Sequence, residues 1–233
     1  MKKISVIASA LLVLCSCGKE KEPLTVTPES LTMYYEGTAQ LTTNAEAPTF
    51  SAPDEFYATV DANGLVKAGK VGKTKIIVSA DNGVVDVPLT IIPAYDLYPD
   101  IDPYMGASMS QISSKFGTGY STSTASGGGT MWTYTDYNKY SNIAFLFEGG
   151  KVTQALVAVS TTYTSMLTSH LKERYTVAGM LNDYFFLLNH DKSVMIALTV
   201  YSSRLLAVLY TPYTESKAGD TDIDISAFGG CFE

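Results

Sequence analysis

Between residues 24 and 93 the chain is divided into short β-type runs, each closed by a turn signal, and no run has the length or period of a helix. Leu24-Thr25-Val26-Thr27-Pro28 and Leu31-Thr32-Met33-Tyr34-Tyr35 open the series, and Glu36-Gly37 turns the chain into Ala39-Gln40-Leu41-Thr42-Thr43. Ala58-Thr59-Val60-Asp61 precedes Ala62-Asn63-Gly64, where Asn-Gly supplies the positive φ values of a tight hairpin turn. Leu65-Val66-Lys67-Ala68 returns. Residues 73–80 then alternate cleanly, with Ile76 and Val78 on one face, before Asp81-Asn82-Gly83 turns the chain into residues 84–92. Strands of this length and spacing suit a two-layer all-β sandwich over residues 24–93.

The pattern changes after Pro93. Residues 94–107 hold two further prolines, Pro99 and Pro103, and no clear period, which marks a linker and the approach to a helix. Met109, Ile112 and Phe116 fall at helical spacing with Gly117 as a stop. A Ser/Thr/Gly loop over 118–130 leads to strand-like runs at 131–135, 143–147 and 152–159. The order then repeats. Met166, Leu167, His170, Leu171 and Arg174 share a helical period, and runs at 184–188, 194–201 and 205–210 read as strands. Residues 108–213 are therefore expected to form an α+β domain of two helix–strand–strand–strand repeats, with six strands in one antiparallel sheet and both helices on one face. Residues 214–233 remain as a C-terminal tail.

The first 22 residues set the compartment. Lys2 and Lys3 precede an apolar run, residues 4–14, that has signal-peptide length and is too short for a permanent membrane span. Removal of residues 1–16 takes the formal charge from −7 to −9, against a nucleic-acid partner, since phosphate binding needs a basic surface. If the leader ends before Cys17, Cys15 leaves with it and Cys17 opens the remaining chain, so Cys231 is the last thiol and no internal disulfide is expected. Residues 17–23 are a short charged tether.

Three resemblances follow from these residues. Leu14-Cys15-Ser16-Cys17 resembles the lipobox of bacterial lipoproteins, which implies cleavage before Cys17, acylation of Cys17 and attachment to the outer membrane; Lys19-Glu20-Lys21-Glu22 is similar to the charged export signals of Bacteroidetes surface lipoproteins, though those are more acidic. Residues 26–32, 36–41, 58–66 and 72–76 resemble the group 2 bacterial immunoglobulin-like (Big2) family, with Phe50-Ser51 where that family usually has a tryptophan before a serine. That resemblance implies an immunoglobulin-like spacer or adhesive unit, a stalk of roughly 40 Å by strand rise and sandwich dimensions. The element order of residues 108–213 is similar in layout to β-lactamase-inhibitor-like and TATA-binding-protein-like folds, without a shared motif.

Residues that carry chemistry are few. His170 and His190 have no ligand partner at metal spacing, and no nucleophile elbow, phosphate loop or dinucleotide fingerprint occurs, so neither a metal nor a cofactor is expected. Asp220, Asp222 and Asp224 alternate but lack the glycine and distal glutamate of a calcium loop, and Asp100 and Asp102 are a weaker pair. Aromatics are the remaining signal. Trp132, Tyr134, Tyr137 and Tyr140 fall within ten residues and are either a platform for a glycan or protein ligand or packing beneath the helices. The sequence thus predicts a non-enzymatic envelope lipoprotein whose Ig-like stalk presents a distal domain for binding a protein or glycan. A structural or envelope-assembly role is the alternative; a hydrolase lacks any converging catalytic set.

Overall fold

A computed structural model describes residues 21–138, 141–214 and 225–228 of the 233-residue chain. Nine strands form the first domain: β1 (Val26–Thr27), β2 (Leu31–Tyr34), β3 (Thr38–Gln40), β4 (Thr42–Thr43), β5 (Thr49–Ser51), β6 (Ala58–Val60), β7 (Leu65–Ala68), β8 (Gly72–Ala80) and β9 (Gly83–Ile92). A four-stranded sheet ordered β2-β9-β8-β5 and a three-stranded sheet ordered β3-β7-β6 enclose one core, with β1 paired to β4. Ile76 and Val78 are fully buried on one face of β8, as their alternation requires, and Leu31, Met33, Val87, Leu89 and Ile91 join them. Phe50 is half-buried on β5 against Gly64, whose φ of 80° makes the hairpin turn after β6.

Among the described residues two α-helices and eight strands follow: α1 (Met109–Phe116), β10 (Ser121–Thr124), β11 (Thr130–Tyr134), β12 (Ser141–Glu148), β13 (Lys151–Ser160), α2 (Thr164–Lys172), β14 (Thr176–Leu181), β15 (Tyr184–Leu188), β16 (Val194–Val200) and β17 (Leu205–Pro212). The strands form one antiparallel sheet ordered β10-β11-β12-β13-β17-β16-β15-β14. Each half of the domain is therefore a helix followed by four strands, and the halves meet where β13 pairs with β17. The expectation of six strands in helix–strand–strand–strand repeats is corrected by β10 and β14. Both are sheet edges. β10 is all serine and threonine and was expected as part of the 118–130 loop; in β14 a register shift between Val177 and Gly179 erases the alternation.

One face of this sheet packs against both helices: Phe145, Val157, Ile196 and Val208 share a core with Ile112 and Phe116 of α1 and Leu167 and Leu171 of α2. Ser108 caps α1 in a reciprocal arrangement with Gln111, and Gly117 ends it at φ 88°. The linker expectation for 94–107 is also corrected: Leu97, Tyr98 and Ile101 are buried in this same core, so the segment is a packed part of the distal domain. On the helix-free face, Ala144, Leu156, Ala197, Ala207 and Leu209 surround Phe228, which the C-terminal 3₁₀ turn Ser226–Phe228 buries completely.

Candidate functional site

The aromatic cluster is built into the core. On β11, Trp132 and Tyr134 point toward the helix-covered face and are buried. The Trp132 indole stacks on Tyr120, with ring centroids 3.8 Å apart and planes at 12°, and meets Phe147 edge-on. Tyr134 donates its hydroxyl hydrogen bond to the Gly117 carbonyl, 3.0 Å away, so that its polar end is satisfied at the stop of α1. Burial pushes its hydroxyl up to about 12. Tyr137 is half-buried against Phe116. Of the two readings of these aromatics, packing beneath the helices describes Trp132 and Tyr134, and the open ligand platform does not. Tyr140, Cys17, Cys231 and the Asp220, Asp222 and Asp224 carboxylates lie outside the described residues.

No group of three or more His, Cys, Asp and Glu side chains is placed to hold a metal ion among the described residues. His170 is completely buried on α2, with Nδ1 3.1 Å from the Tyr95 carbonyl oxygen. Desolvation, aided by the nearby Arg174 charge, holds this imidazole down to about 3, so it stays neutral in the folded protein.

Polar chemistry is concentrated where the two domains meet, and composition gave no hint of it. Arg174, just past α2, has a side chain only 7% exposed. Its Nε bonds Asp100 at 2.7 Å, and Nη1 donates to the Tyr95 and His170 carbonyls at 3.1 and 3.2 Å. The neighbouring Glu173 carboxylate, 5% exposed, accepts the backbone N–H groups of Ala94 and Tyr95. Tyr175 donates to Asp102 at 2.8 Å, and Tyr98 and Tyr210 pair through their hydroxyls at 3.0 Å. Burial raises Asp102 above the usual carboxylate range, which the Tyr175 hydrogen bond opposes. Asp100 and Asp102 are thus joint residues holding the 94–107 segment onto α2.

The Ig-like sandwich docks onto this joint through the turns at one end. Val71 N–H donates to the Glu173 carbonyl at 2.7 Å, and Lys70 Nζ donates to the Lys172 carbonyl at 2.6 Å. His190 of the β15–β16 turn lies 2.8 Å from Asp54 and against the rings of Phe56 and Tyr57. Gly72 is required here: a Cβ at its φ of 152° would fall 2.4 Å from the Tyr57 ring. Replacing Phe56 and His190 together with alanine is expected to loosen this docking without unfolding either domain. Small-angle scattering from the full chain reads it as a larger radius of gyration, and unchanged scattering contradicts it.

Residues 22–91 match the profile of the bacterial Ig-like domain (group 2), and the sandwich is a Big2 domain. The distal domain lies outside that match. No curated protein matches the chain. Among solved structures, the crystal structure of an EHEC O157:H7 intimin mutant is similar at 12% identity, covering 81% of this chain and 98% of that one, with a TM-score of 0.28. A likeness of that size carries no argument about fold or function.

Proposed function

We propose that the chain is a non-enzymatic envelope lipoprotein, held in the outer membrane through acylated Cys17, in which the Big2 domain is a spacer that presents the distal α+β domain for binding a protein or glycan. One observation carries this reading: the two attachments of the Big2 domain lie at opposite poles. The chain enters beside the β8–β9 turn, where Leu24 N–H donates to the Asn82 carbonyl, Asn82 donates to the Glu22 carbonyl and Lys21 pairs with Asp81. The distal domain docks at the other end of β8, against Lys70 and Val71. The nine residues of β8 between the poles span about 30 Å. A spacer needs this arrangement, because a module with both attachments at one end would hold its neighbour against the membrane.

Several acyl chains on one cysteine hold a protein stably, where a single chain holds it only marginally. Metabolic labelling with an alkynyl fatty acid is therefore expected to mark the wild-type protein in the membrane fraction. Cys17→Ala is expected to lose the label and leave that fraction. Labelling that persists in Cys17→Ala overturns the anchoring half of the proposal.

A further inference from the structure

The distal sheet ends in two edges of different chemistry. β10 offers four exposed hydroxyl side chains, Ser121 to Thr124. β14 offers Thr176-Val177-Ala178-Gly179-Met180-Leu181, with no charge and no proline. Val177, Met180 and Leu181 are 47%, 74% and 61% exposed. Among the described residues no strand pairs with the outer side of β14. An edge strand presents a row of unpaired N–H and C=O groups, and soluble proteins usually charge, shorten or cover such an edge. A bulge is the one protective device here, and three large apolar side chains remain in the open. Exposed apolar residues grouped in this way mark an interaction surface.

The same edge opens onto a cavity of about 230 Å³ lined by Gly179, Leu181, Phe186, Leu188, Met195 and Tyr213, none of them charged. Gly179 leaves a notch beside the backbone, since a Cβ there would meet no atom within 4 Å. Edge and cavity together are the two parts of strand-addition recognition: main-chain pairing supplies affinity, and a pocket for alternate side chains supplies selectivity.

Resting on the proposed role as a displayed binding domain, we infer that β14 is a docking edge for an extended, uncharged strand of a partner protein, which places one large apolar side chain in the cavity beside Gly179 and Met195. A second copy of this chain fits the edge less well. Two-fold pairing of β14 with itself sets the Val177–Gly179 bulge against its own image and interrupts the ladder on both sides. Each copy, once residues 1–16 are removed, also carries a formal charge of −9, so association is opposed by like charge. A regular, uncharged partner strand meets neither obstacle.

The test uses full-length protein in detergent and a fluorescent strand peptide in which threonine alternates with valine around one phenylalanine, with a lysine at each end. Saturable binding by anisotropy is expected, together with slowed hydrogen exchange at residues 176–181. Met180→Lys and Leu181→Lys, both at exposed positions, are each expected to weaken binding at least tenfold. Having two such variants guards against one that fails to fold. Val200→Lys, at a residue 66% exposed on β16, is expected to leave binding unchanged. Absence of peptide binding, or equal binding by the folded lysine variants, overturns the inference. So does a wild-type dimer in light scattering that Met180→Lys converts to a monomer, because the occupant is then a second copy. None of these failures touches anchoring, which fatty-acid labelling reads separately.

Discussion

Replacing Trp132 with alanine is expected to destabilise the distal domain by about 3–5 kcal/mol, the range for truncating a large buried aromatic. Two contributions combine. The indole is buried in the core between the helices and the sheet, so its removal leaves a cavity lined by Tyr120 and Phe147. The parallel stack on Tyr120 adds about 0.5–1.5 kcal/mol beyond area burial. Trp132 is the chain's only tryptophan, so its emission follows unfolding in the wild type but not in the variant. Near-ultraviolet circular dichroism or calorimetry compares the two. The Big2 transition is expected to stay where it was, since Trp132 belongs to a separate core. A distal transition that does not move means that the indole is an exposed ligand platform after all.

Arg174→Ala is expected to cost roughly 3 kcal/mol, at the low end of the range for removing one partner of a buried ion pair. The low end follows from the partners. Asp100 and Asp96 are 51% and 75% exposed, so water screens their pairing with the guanidinium and solvates them when it is gone. Glu173 cannot be rehydrated in this way, and it keeps only the Ala94 and Tyr95 N–H groups as partners. The His170 carbonyl also loses the Arg174 donor, and the Tyr95 carbonyl is left with its contact to His170 Nδ1. Arg174→Lys is expected to rescue little, because an ammonium lacks the planar fork that reaches several acceptors at once. Adding Glu173→Gln to Arg174→Ala is expected to recover part of the loss by removing the stranded charge. Urea unfolding followed through Trp132 emission reads all three variants. A double variant no more stable than Arg174→Ala places the cost elsewhere than on Glu173.

What could be read from the chain, and what could not, follows from which residues carry periodic signals. Ile76 and Val78 on β8, and Ile112 and Phe116 on α1, bury one side of a regular element, so alternation and helical spacing reveal them. The edges β10 and β14 bury almost nothing and leave no such trace. Residues 94–107 carry the prolines of a boundary, yet Leu97, Tyr98 and Ile101 reach into a core completed by strands more than thirty residues away. Arg174 falls on the helical period of Leu167 and Leu171 while Glu173 carries no periodic signal, and only the folded joint shows both buried and partnered. The aromatics at 132 and 134 were visible as a cluster, but their direction depends on α1 packing over β11, which single-strand patterning does not contain.

The spacer account depends on the two domains holding a fixed geometry across the joint, and one distance measures it. Spin labels at Asn82, beside the entry pole, and at Ser123 on the far edge of the distal sheet, in a background of Cys15→Ser, Cys17→Ser and Cys231→Ser, report across the whole assembly. A single narrow distance distribution is expected, broadened when Phe56 and His190 are both replaced with alanine. A broad distribution in the protein with an intact joint contradicts the account, since the Big2 domain would then be a flexible tether and the opposed poles of β8 would fix nothing.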